Sequence, residues 1–172
     1  VLIQQGALKA AVALCHEDTK ENEEEKEDLE QHVRVHAGHA CARMLITTDP
    51  RKLSDSTAYS AIRPLLWLCK QFRVLDIIHF EACLALTNLL TLGKDAKRRV
   101  AQARGINTLE YLQFSDHKLV QRAATEALTN MVPDPDFLAH LKKKDKMKLW
   151  LAFSTDIPEK DDEDSDNKAS QE

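Results

Sequence analysis

The chain has 172 residues, 43% of them hydrophobic, and a formal net charge of -4, so it can bury a core and is too apolar to stay unfolded. The acidic balance, with a pI near 6.0, supplies no general drive toward nucleic acid or an anionic membrane surface, and neither is expected as a partner. No apolar run long enough to span a bilayer and no charged-then-apolar leader is present, which sets the expected location as cytoplasmic.

Gly and Pro are few, Ala, Leu, Lys and Glu dominate, and strand-like alternation is hard to find; the fold class is therefore all-α. In chain order, GALKAAVALC from Gly6 is the first apolar helical segment. The charge run HEDTKENEEEKEDLEQ, residues 16–31, reads as a solvated acidic insertion, in part a helix extension with Glu and Lys interleaved. GHACARMLITT follows, then AIRPLLWLC from Ala61, then FEACLALTNLL from Phe80 to Leu90. KDAKRRVAQAR, Lys94 to Arg104, is a short amphipathic helix expected to end on Gly105 as its C-cap. GINTLEYLQF and QRAATEALTNMV come next, and PDPDFLAHLKKKD with KMKLWLAFS opens a last unit that lacks its final helix. Residues 155–172 form an acidic tail expected to be disordered. The start at Val1 and the polar end read as a fragment of a longer chain.

Placing Asn88 on Asn130 also places Ala82 on Ala124, Leu86 on Leu128 and Thr87 on Thr129, a period of 42; one period earlier Ala40, Cys41 and Met44 fall in line. Helical repeats of about 40–47 residues are the size of armadillo and HEAT units, whose helices bury their apolar faces only by stacking. The expected architecture is a right-handed armadillo-type α-solenoid over residues 1–154, about three repeats plus a truncated fourth.

No Gly-rich phosphate loop, nucleophile elbow or carboxylate pair is present, so the chain is read as a non-enzyme without cofactors. His32, His36 and His39 share a helical spacing near Cys41, but Gly38 interrupts them and no closed metal site is expected. The cysteines fall into equivalent pairs across repeats, Cys15 with Cys69 and Cys41 with Cys83, too far apart for disulfides at roughly 8–10 Å and read as buried thiols. On the third helix of each unit, Ala82, Ala85, Leu86, Leu89 and Leu90 gather on one arc, and Phe80, Glu81, Leu84 and Asn88 on the other; Arg122, Ala123, Glu126 and Asn130 repeat the second arc. Stacked, these second arcs would line one concave surface, with Phe80, Glu81, Leu84, Asn88, Arg122, Glu126 and Asn130 as candidate binding residues. Two roles for the Asn amides stay open: bonding the backbone of an extended peptide, or satisfying neighbouring backbone inside the repeat. Phe80 is likewise either an anchor or packing.

HFEACLALTNLL, the Lys/Arg-rich helix after it, INTLEYLQFSDHKLVQRAATEALTNMV, and the earlier AGHACARMLITTDP and AIRPLLWL together resemble the C-terminal UCS domain of the myosin chaperones. That resemblance implies a solenoid whose groove holds a segment of the myosin motor domain and assists its folding or assembly without ATP hydrolysis. It also implies that Phe80 and Asn88 hold the client, and that a heat-shock chaperone is recruited through a tetratricopeptide domain absent from this chain. Ile46 in place of the first Asn and the acidic insertion depart from the family pattern. The alternative is an armadillo adaptor or scaffold for another extended peptide. Import adaptors of this fold pair each groove Asn with Trp, whereas Trp67 and Trp150 lie on second helices.

Overall fold

The computed structural model describes residues 2–16, 24–132 and 135–143, and every regular element among them is helical. The first repeat is α1 (Leu2–His16) and α2 (Glu24–Thr47). A 3-10 turn, Pro50–Lys52, leads into the second repeat, α3 (Asp55–Ser60), α4 (Ile62–Leu68) and α5 (Asp76–Leu90). The third is α6 (Lys94–Gln102), α7 (Gly105–Leu112) and α8 (Lys118–Met131), and α9 (Pro135–Lys143) opens a fourth. The remainder of that fourth unit and the tail 155–172 lie outside the described residues, as do residues 17–23 of the acidic insertion.

The long third helices stack on one another, α5 lying between α2 and α8, while α1, α4 and α7 each back the third helix of their own repeat. This is an armadillo-type α-solenoid, in which each repeat buries its apolar side against the next one. The 42-residue echo is written into the core: Ala82, Ala85, Leu86 and Leu89 are fully buried on α5, and Ala124, Ala127, Leu128 and Met131 on α8. Ala at the contact lets the helix axes approach closely. Each large aliphatic beside it contributes about 1.5–3 kcal/mol by leaving water.

Smaller devices also recur at the same period. The Gln71 carbonyl, just past α4, accepts a hydrogen bond from His79 Nε2 at 2.8 Å, and the Gln113 carbonyl, just past α7, accepts one from Gln121 Nε2 at 2.9 Å. Position 79 and position 121 are 42 apart, so a third-helix side chain clamps the end of the second helix in both repeats. At the start of the second repeat, Asp49 and Ser54 cap the 3-10 turn and α3 with their side-chain oxygens.

The structure corrects several sequence expectations. The left-handed residue between α6 and α7 is Arg104, with φ 59°, and Gly105 is instead the first residue of α7. Gly is needed there for space: a Cβ at Gly105 would stand 2.5 Å from Val100 Cγ1 and 2.8 Å from the Val100 carbonyl oxygen. The charge run 16–31, by contrast, is in part the helix extension expected of it, since Glu24–Gln31 form the first turns of α2. The thiols are free and buried, but they meet within repeats, Cys15 with Cys41 and Cys69 with Cys83, because the second and third helices of one unit pack through these small side chains. The hydrogen bond to Cys15 and burial raise the Cys41 pKa well above its ordinary value. Ala123, assigned by spacing to the open arc, is 2% exposed and belongs to the core.

Candidate binding face of the third helices

On α5 the residues Phe80, Glu81, Leu84 and Asn88 are all half-buried, and on α8 Arg122 and Glu126 are exposed and Asn130 half-buried. These seven residues therefore share a wet side of adjacent helices. The side is not uniform along the stack. At the positions of Phe80 and Leu84, α2 carries Gly38 and Ala42, both buried, with the Gly38 backbone against Leu68. The open face accordingly begins at α5 and runs to α8, and α2 adds only its His39, Arg43 and Ile46.

Each Asn directs its amide nitrogen at the neighbouring repeat. Asn88 Nδ2 donates to the Leu45 carbonyl at 3.1 Å and lies 3.5 Å from the Ile46 carbonyl, at the end of α2. Asn130 Nδ2 donates to the Thr87 carbonyl of α5 at 3.3 Å. Each Asn thus reaches back 43 residues to the last turn of the preceding third helix, whose carbonyls have no intrahelical partner. Of the two roles that the sequence leaves open for these amides, the bonded N–H groups take the second, an inter-repeat tie. The physical reason is proximity: a half-buried amide meets an orphan carbonyl before it meets solvent. Ile46 fits the same logic, because α2 has no earlier third helix beside it among the described residues.

Glu81 forms a second tie. One carboxylate oxygen contacts His39 Nε2, and the other lies 4.0 Å from Arg43 Nε. His39 and Glu81 occupy the same repeat position 42 residues apart, so the contact joins neighbouring third helices just as Asn88 does. His39 is therefore engaged away from His32 and His36, and among the described residues no three His, Cys, Asp or Glu converge. Arg122 and Glu126, by contrast, meet no opposite charge within 4.0 Å among the described residues.

Sequence reasoning missed an apolar ridge at the same end of these helices. Phe72 is 82% exposed and Phe114 58%, each directly after the clamped Gln71 or Gln113. Ile77 and Leu119, at the starts of α5 and α8, are exposed as well, and Tyr111 meets Phe72 edge-to-face with centroids 6.2 Å apart. The signal that would have found the ridge is the Gln-Phe dipeptide repeated at 71–72 and 113–114.

Among the described residues no helix is long and apolar enough to cross a membrane. No family model matches the chain. It is 27% identical over 133 residues to Protein unc-45 homolog B of Danio rerio, which covers 77% of this chain and 13% of the relative. Against Protein unc-45 homolog B of Homo sapiens it is 28% identical over 132 residues, 76% of this chain and 13% of the relative. The mouse protein of the same name matches at 27% over 160 residues, 90% of this chain and 16% of its own length. A solved structure described as "Molecular features of the UNC-45 chaperone critical for binding and folding muscle myosin" superposes with a TM-score of 0.74 at 24% identity, covering 92% of this chain and 17% of that one. The chain is homologous to the unc-45 homolog B proteins, consistent with a UCS-domain region, and spans about a seventh of their length.

Proposed function

We propose that this chain is a non-enzymatic chaperone module of the cytoplasm, which captures a segment of the myosin motor domain on the α5–α8 face and assists its folding or assembly. Support comes from homology to the unc-45 homolog B proteins and from a structural neighbour described as binding and folding muscle myosin. The observation that carries the reading is the pairing of a wet, chemically mixed face with an exposed apolar ridge at its end, present in the second and third units. Apolar client segments are what a chaperone must shield, and exposed apolar surface rimmed by polar groups is the matching receptor.

The ties of the preceding section change how such a segment is held. Asn88 and Asn130 fix the helices in register and keep their carbonyl oxygens as acceptors for client N–H groups; no described group donates to either oxygen. Phe80 and Leu84 offer partly buried apolar surface, Arg122 and Glu126 offer a charge of each sign, and Phe72 and Phe114 offer the ends of the ridge. Recruitment of a heat-shock chaperone is assigned to a domain outside these residues.

The test is suppression of heat-induced aggregation of a myosin motor domain by the purified chain. Arg122→Glu with Glu126→Lys alters two exposed side chains and leaves the fold intact by circular dichroism; it is expected to reduce protection several-fold. Phe72→Ser with Phe114→Ser is expected to do the same. Full protection by both folded double variants, and by Phe80→Ala, overturns the assignment.

A further inference from the structure

Away from the third-helix face lies a concavity of about 400 Å³, where α1, α2, α4 and the α6–α7 junction meet. Its lining carries Arg34, Arg63, Lys70 and Arg104 together with Trp67 and Cys15, and no Asp or Glu among the described residues. A chain of net charge -4 thus gathers cations from three elements around one hollow. Like charges on shared walls repel, and water screens them least in a concave site. Arg63, Lys70 and Arg104 are exposed, and among the described residues no carboxylate stands within 4.0 Å of them.

Two further features bear on the cations of this hollow. The Arg34 guanidinium lies over the Trp67 ring, 4.3 Å from its centroid, which satisfies its face but none of its in-plane donors. Its Nε is buried and has no hydrogen-bond partner among the described residues; a buried donor left so is costly and calls for an explanation. Arg104 holds a left-handed backbone that is strained for a residue with a Cβ and that Gly would adopt freely. A cation is kept there against that strain.

We propose that this hollow is a binding site for a small, multiply charged phosphate ester or polyphosphate. Arg forks match phosphate oxygens bidentately, whereas Lys acts as a point charge, and the hollow holds three of the former and one of the latter. Its volume falls within the range of small-ligand sites, about 300–1,000 Å³, and cannot admit a folded partner. Trp67 is covered by Arg34, so no aromatic face is left for a nucleobase, and recognition rests on the anion alone. None of the lining residues is shared with the proposed client face, so the two assignments stand or fall separately.

Inorganic tripolyphosphate serves as the probe, with binding to the full chain followed by calorimetry and by the unfolding temperature in 0.15 M NaCl. Saturable binding with a raised unfolding temperature is expected. Arg104→Gly, which relieves the left-handed strain and so folds at least as well, is expected to weaken binding about tenfold, one lost charge-assisted pair. Arg63→Gln is expected to act similarly. Lys97→Gln with Arg98→Gln, on the same flank but outside the hollow, is expected to leave binding unchanged. No binding at millimolar tripolyphosphate overturns the site, as does equal weakening by the outside pair. Equal affinity for an Asp/Glu-rich peptide overturns the assignment to phosphate.

Discussion

Asn88 sits on the half-buried side of α5 with its amide nitrogen directed at the last carbonyls of α2, so its contribution is to the joint between repeats. Its removal leaves those carbonyls without a donor. Asn88→Ala is expected to cost about 1 kcal/mol in urea unfolding, and Asn88→Asp more, about 2 kcal/mol, because a carboxylate donates nothing and repels the negative end of α2. Equal stability of the three proteins would show that water replaces the tie. His79 makes a comparable residue-scale case with a pH signature. Its Nε2–H donates to the Gln71 carbonyl in the neutral form, and burial holds its pKa below the ordinary 6.5, outweighing that bond and Asp76. The unfolded chain then binds the proton more readily than the folded one, so the stability is fully present above about pH 6.5 and is lost as pH falls toward the depressed folded value. The unfolding temperature should fall between about pH 7.5 and 5.5, and His79→Gln, the residue its sister repeat uses at position 121, should flatten that slope. The Asn was legible in the sequence as a repeated letter; its partner was not, because a backbone carbonyl one repeat earlier leaves no trace in residue type.

At the scale of elements, helix type and repeat length were readable because Ala82, Leu86, Ala124 and Leu128 recur with both the helical period and the 42-residue one. Boundaries were harder. The α6–α7 junction was expected to turn on Gly105, yet the left-handed turn falls on Arg104, since Gly105 is claimed by contact with Val100 and Leu66. Two demands for Gly fall on neighbouring residues, and Gly105 answers the packing one. Gly105→Ala is accordingly expected to cost about 1–3 kcal/mol as Val100 is pushed aside. Arg104→Gly is expected to stabilise by roughly 0.5–1 kcal/mol, the left-handed cost less the added freedom of the unfolded chain. Opposite signs at adjacent positions in thermal unfolding would fit this division of labour, and a stabilising Gly105→Ala would contradict it. The face itself was half legible. Spacing grouped Phe80, Glu81, Leu84 and Asn88 correctly on one side, but the same arithmetic put Ala123 there, which only the neighbouring helices bury.

For the whole molecule, stacking dictates which surfaces a repeat must keep wet. Ile78, Ala82, Ala85 and Leu89 on α5, and Val120, Ala124, Ala127 and Met131 on α8, are buried at equivalent positions. The equivalents on α2 are His36, Ala40, Arg43 and Thr47, and all four are exposed. The difference is a neighbour: α5 has α2 against it and α8 has α5, whereas α2 has no earlier third helix beside it among the described residues. Composition follows exposure, with His for an aliphatic, Arg for Ala and Thr for Leu or Met, and Ile46 where the later repeats carry the Asn that reaches back. A polar helix edge disfavours the docking of another third helix on it. His36→Ile, Arg43→Ala, Thr47→Leu and Ile46→Asn together give α2 the edge of α5. A copy so altered presents a third-helix edge built to dock on another third helix, a head-to-tail contact that does not close on itself. Sedimentation velocity of the fourfold variant should show mass growing with concentration beyond that of the parent chain. A variant that folds and sediments as the parent does at every concentration would mean that α2's polar edge is not what limits stacking.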